Sequence, residues 1–126
     1  MPEMPKNILD HYRAAVVANP GSAEAHANLG WGYYGQKQYA EAIKEFQEAL
    51  SLDANWLDAH YGLGLAHKGA GLKAEALAAF EKVAALAPGL PDVVRAQMLG
   101  RLAHGHINAI KTGDWDLDKE LRHREA

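Results

Sequence analysis

Cysteine is absent from the 126 residues, so no disulfide staples the chain and no thiolate metal site can form. That absence sets a reducing, cytoplasmic compartment as the expectation. Positive charge is not in surplus either, because 13 Lys and Arg stand against 16 Asp and Glu for a formal net charge of -3. Neutralising a phosphate backbone needs a basic excess, so no nucleic-acid partner is expected. No apolar run approaches the roughly 20 residues of a membrane span, and Met1 to Lys6 lead straight into an amphipathic stretch. Neither membrane insertion nor export is therefore expected.

The residues that are present form a pattern. With 48% hydrophobic and 23% charged residues, the chain has the balance of one globular domain. Sliding it against itself by 34 residues superposes Leu29-Gly30 on Leu63-Gly64, Ala42 on Ala76, Phe46 on Phe80 and Ala49 on Val83. Run backwards, the same frame sets Ile8, Tyr12 and Ala15 under Ala42, Phe46 and Ala49, and Pro20 under Ala54 and Pro88.

Helices follow from a separate argument. Between Ala40 and Leu52 the residues Ala42, Ile43, Phe46, Ala49 and Leu50 fall at three- and four-residue steps, with Glu41, Lys44, Glu45, Gln47 and Glu48 between them. Leu72 to Leu86 repeats the stripe, and so does Ile8 to Val17 through Ile8, Tyr12, Ala15 and Val16. Pro20-Gly21 and Pro88-Gly89 break helices, and Ser22 and Asn55 stand where N-caps are needed. The organisation predicted is a half-repeat helix at 6–19, repeats at 22–55 and 56–89, a long third-repeat helix at 90–113, and a charged capping helix at 114–126 with Trp115, Leu117 and Leu121 inward.

Residue for residue, the pattern resembles the tetratricopeptide repeat family, whose 34-residue signature is Trp-x2-Leu-Gly-x2-Tyr, Ala-x3-Phe and Pro. The first full unit reads His26-x2-Leu29-Gly30-x2-Tyr33, Ala42-x3-Phe46, Ala54, and the second His60-x2-Leu63-Gly64-x2-His67, Ala76-x3-Phe80, Pro88. The resemblance implies an all-α solenoid of antiparallel helix hairpins, about two and a half repeats plus a cap, in a right-handed superhelical arc. His replaces the signature Trp in both units. In the third unit Leu99-Gly100 lies two residues late, so Val94, Met98, Leu102 and Ala109 are expected to carry the packing instead.

Function is expected on the concave face that first helices line in this family. The resemblance transfers that face to Glu24, Ala27, Asn28, Trp31 and Tyr34, then Asp58, Tyr61, Gly62, Leu65 and Lys68, and finally Arg95. The binding residues expected are Asn28, Trp31, Tyr34, Tyr61, Leu65, Lys68 and Arg95: an aromatic wall that accepts a protein or peptide segment, with Lys68 and Arg95 available to an acidic group. A branch of the family grips a carboxylate with a Lys-Asn, Asn, Lys-Arg set. Asp58 and Gly62 stand where its Lys and Arg would be required, so that clamp is not expected. A homo-oligomeric scaffold, assembled through exposed terminal helices, is the rival expectation.

Seven His raise metal binding or acid-base catalysis. His26 and His60 sit at a packing position, and His104 and His106 are two apart, unlike the four-residue spacing of a helical zinc pair. No phosphate loop, nucleophile elbow or paired carboxylates occur. No cofactor, metal or enzymatic activity is expected.

Overall fold

A computed structural model of the protein describes residues 7–112. Among these residues the elements are α1 (Ile8–Ala18), α2 (Ala23–Gly35), α3 (Tyr39–Leu52), α4 (Leu57–Gly69), α5 (Lys73–Leu86), a single 3-10 turn (Ala87–Gly89) and α6 (Val93–Thr112). The capping helix expected at 114–126 lies outside the described residues. Helices α2 and α3 form one hairpin and α4 and α5 the next, with α1 packed on α2, α3 on α4, and α5 on α6. The fold is the expected all-helical solenoid.

Local chemistry sets the helix ends. Asn7 accepts from the Asp10 amide at 2.9 Å and Ser22 from the Ala25 amide at 3.1 Å, so each cap satisfies a free N–H of a first turn. Asn55 does not cap α4, contrary to the sequence reading. Its amide donates to the Asp53 carboxylate at 3.3 Å in an Asx turn, and the helix starts later, after Trp56.

The turns inside the two hairpins are identical in kind. Gln38 donates to the Tyr33 carbonyl and Lys37 to that of Tyr34, as Leu72 does to His67 and Gly71 to Lys68, which is the Schellman pattern. That closure needs one residue in the left-handed region, and Lys37 (φ 60°) and Gly71 (φ 81°) supply it. Glycine occupies this conformation freely, whereas a Cβ makes it cost about 1 kcal/mol or more. Lys37→Gly should therefore raise stability by about 1 kcal/mol, and Gly71→Ala should lower it by a similar amount. Chemical denaturation of both variants checks this, and a Lys37→Gly variant no more stable than its parent would sink the account.

The core runs through the hairpin contacts. Phe46, Phe80, Ala42, Ala76, Ala49 and Val83, the signature positions, are all fully buried. Phe46 lies against Gly30 of its own hairpin and Gly62 of the next, where a Cβ would meet its ring at 3.0 Å and 2.5 Å respectively. Gly64 is held the same way under Phe80, at 2.7 Å. In α1, Tyr12 and Leu9 close on Gly32. Leu9 (4% exposed), rather than the expected Ile8 (56%), is the buried residue, because it is Leu9 that packs over Gly32 of α2.

Helix α6 departs most from the sequence reading. Val94 and Met98 are exposed (76% and 53%), while Leu99 and Ala103 are buried with Leu57, Val83 and Ala87. One residue turns a helix face by about 100°, so the inward stripe is Leu99, Ala103 and His106, at four- and three-residue steps. The late Leu99-Gly100 thus marks the true inner face of α6.

The two His at the signature Trp position share one role. His26 Nε2 donates to the Pro20 carbonyl and His60 Nε2 to that of Ala54, each at 2.8 Å and each six residues back. A ring N–H thereby ties the loop entering the repeat to the first turn of its helix. His26 also bonds Glu45 at 2.8 Å, whereas the equivalent of Glu45 in the next repeat is Ala79. Burial works against the charged imidazole of His26, but Glu45 and the Pro20 carbonyl outweigh it and raise its pKa.

Candidate functional site

The first helices α2, α4 and α6 are linked side by side. Trp31 of α2 stands edge-on to Phe46, with ring centres 5.1 Å apart, and edge-on to Tyr34 at 6.0 Å. Tyr34 in turn meets Tyr39 at 5.8 Å. These half-exposed rings form a continuous aromatic surface over the α2–α3 hairpin. Two rings of the aromatic wall expected for a partner also serve packing: Trp31 leans on Phe46, and Tyr61 leans on Phe80 at 5.8 Å.

Tyr61 begins a polar cluster that joins α4 to α6. Its hydroxyl lies 3.1 Å from His106 Nε2, and Lys68 Nζ lies 3.3 Å from His106 Nδ1. The His106 ring stacks on Phe80, 4.3 Å between centres and 6° from parallel. Burial and the Lys68 charge both disfavour the imidazolium, bringing the His106 pKa down to about 4. The ring is therefore neutral near pH 7. Burial, with Tyr34 nearby, raises the Tyr61 pKa, so the phenol keeps its proton.

At the other end of the α4–α6 contact, Arg95 in the first turn of α6 pairs with the Asp58 carboxylate in the first turn of α4. The cation expected to await a partner's acid is thus engaged within the chain, and Lys68 bonds His106. Asn28 and Leu65 are half-buried, and Leu65 lies outside both core clusters. Ala27 (2% exposed) and Gly62 are buried rather than presented to a partner, because Ala27 belongs to the core and Phe46 fills the space above Gly62.

His106 is the residue that the 34-residue frame missed. The frame places it under Leu72, in no signature position, but the displaced Leu99-Gly100 carries the signal, since His106 lies two turns beyond Leu99 on one face. His104 is exposed, so the two neighbouring His do face apart. Among the described residues no three His, Asp or Glu side chains gather where a metal could sit, and no helix is long and apolar enough to cross a membrane.

Residues 23–56 and 57–89 each match a family model described as Tetratricopeptide repeat, together more than half of the chain. Among solved structures, one described as MamA is 30% identical, with 94% of this chain and 70% of that chain covered at a TM-score of 0.62. The second tetratricopeptide domain of human RPAP3, solved with an HSP70 peptide, is 27% identical, covering 76% of this chain and 78% of that one at a TM-score of 0.62. PcrH, solved with the chaperone-binding region of PopD, is 18% identical over 82% of this chain and 75% of that one, and its TM-score of 0.75 speaks for the fold. No curated protein shows significant sequence similarity to the chain.

Proposed function

Because the chain belongs to the tetratricopeptide repeat family, whose members are protein-interaction modules, we propose that it binds a peptide segment of a protein partner along α2 and α4. The observation that carries this is the half-exposed aromatic surface of Trp31, Tyr34 and Tyr61, continued by Leu65 and Asn28. Large rings bury much area at little entropic cost, so they supply affinity where an extended chain lies down. The RPAP3 domain, 27% identical, was solved in complex with a peptide, which supports a peptide segment as the form of the partner. The reading assigns no catalytic role to any residue.

Selection of a random heptapeptide library on the immobilised chain, followed by amide and indole shift mapping of an enriched peptide, tests the groove. Shifts should cluster at Asn28, Trp31, Tyr34, Tyr61 and Leu65. Leu65→Glu, placed outside both cores, should weaken binding at least tenfold while the circular dichroism spectrum stays helical. Shifts confined to α1 or to the outer side of α6 would overturn the assignment. Sedimentation of the free chain separates the rival use of the surface, in which Ile8 and Val17, 56% and 81% exposed on α1, pack on a second copy. The groove reading expects a monomer.

A further inference from the structure

In both complete hairpins a glycine of the first helix lies under a phenylalanine sixteen residues later on the second, Gly30 under Phe46 and Gly64 under Phe80. The same spacing recurs from Gly105 of α6 to Leu121, with Leu117 where Ala42 and Ala76 stand. This third occurrence is displaced, because Gly105 follows Gly64 by seven residues more than the 34-residue period. Helix α6 is longer by the same amount, 20 residues against 13 in α2 and α4. Seven residues are close to two helical turns, so the extension rotates the face by only about 20° and keeps one side of α6 in use.

That side differs from the one turned to α5. Leu99 and Ala103 join the core of Leu57, Val83 and Ala87. Val94, Met98, Leu102, Gly105 and Ala109 follow one another at three- and four-residue steps about 100° round the helix. Exposure changes along this second stripe. Val94 and Met98 are exposed, Leu102 and Ala109 are half-buried, and Gly105 is buried. Charge adds to the pattern: from Val93 to Thr112 the formal charges are Arg95, Arg101 and Lys111 with no Asp or Glu, whereas Asp114, Asp116, Asp118 and Glu120 follow in the sequence.

We propose that residues 113–126 occupy this stripe, folding back antiparallel to α6 as the second helix of a third hairpin. Gly113 lies in the connecting turn, Leu117 meets Ala109, and Leu121 covers Gly105. This register sets the apolar side chains against the second half of α6 and the acids beside Lys111. Another occupant is disfavoured because a segment tethered by a short turn competes at an effective concentration on the order of millimolar. The inference is independent of the groove reading and leaves the face of α2 and α4 to a partner.

Because the chain has no cysteine, Arg122→Cys carries a single nitroxide label on the full-length protein, and amide broadening locates the segment. Broadening outside residues 113–126 should be strongest from Leu102 to Gly105. In the same labelled chain Leu121→Asp should at least halve that broadening, since a buried leucine contact is lost and α1 to α6 are untouched. Strongest broadening at Trp31 and Tyr34 would place the segment in the groove, and broadening confined to Lys111 and Thr112 would leave it undocked. Either result overturns the proposal, as does broadening at Leu102 unaffected by Leu121→Asp. Mixing labelled chain with isotope-labelled chain that lacks the nitroxide should broaden nothing at Leu102. Broadening there would assign the stripe to the segment of a second copy and overturn the proposal as well.

Discussion

Phe46→Ala is expected to lower stability by about 3–5 kcal/mol, the range for truncating a core aromatic. Phe46 is fully buried and touches three helices at once: its own α3, α2 through Gly30 and Trp31, and α4 through Gly62. The cavity left by truncation lies between two hairpins, whose backbones cannot collapse into it without breaking the repeat spacing. For a domain whose whole stability is about 5–15 kcal/mol, that loss is a large part of what holds the repeats together. The reciprocal change is informative. Gly62→Ala sets a Cβ 2.5 Å from a ring that has nowhere to move, and overpacking of this kind costs about 1–3 kcal/mol. A double variant, Phe46→Leu with Gly62→Ala, should be less destabilised than the two single changes added together, because the shorter side chain makes room for the methyl. Urea unfolding of the four proteins gives the coupling directly, and strict additivity would mean that the two sites do not meet as described.

Acid should destabilise the protein through His106. Its pKa falls from an ordinary 6.5 to about 4 in the fold, so between these values the unfolded chain binds a proton that the native chain refuses. Stability from this residue is complete above pH 6.5 and is lost as the pH falls toward 4, amounting to about 3 kcal/mol at about 1.36 kcal/mol per pH unit. His106→Gln cannot take up the proton, so its stability should fall less steeply from pH 7.5 to pH 4.5, by roughly 2–3 kcal/mol relative to the native chain. Equal slopes would show that His106 does not sit neutral on Phe80. His26 works in the opposite sense. Its pKa is raised, so its contribution is complete below pH 6.5 and fades as the pH rises through its folded value. Glu45→Gln should remove that loss and leave the acid limb, to which buried His67 with its lowered pKa also contributes, unchanged.

The two residues illustrate what a sequence can carry. His26 occupies a signature position, and its packing role is legible from the frame alone, although its second bond, to Glu45, is not. His106 occupies no signature position. Its importance comes from the turn of α6, which the spacing from Ala76 and Phe80 could not give, since the third unit has no second helix among the described residues to fix its register. The same turn explains why Val94 and Met98, apolar and helically spaced, are exposed. Periodicity places residues on one face of a helix but does not say which face the neighbour takes when two apolar stripes compete.

The proposed binding face was legible as a set of positions, and less so as a chemistry. Trp31, Tyr34 and Tyr61 follow from the repeat frame, yet that Trp31 and Tyr61 each rest on a signature Phe depends on ring orientations that no spacing encodes. Arg95 and Asp58 were both visible as charges on first helices. Their pairing required α4 and α6 to lie side by side.

The sequence by itself determined the helices, the 34-residue period and the burial of Phe46 and Phe80, because small residues opposite large ones leave one close-packed arrangement for each hairpin. Only the tertiary structure decided the rotation of α6, and with it the Tyr61–His106–Lys68 contacts and the neutralisation of Arg95. These depend on contacts between residues 37 to 45 apart on separate helices, and a hydrogen bond exists only once both partners are in place.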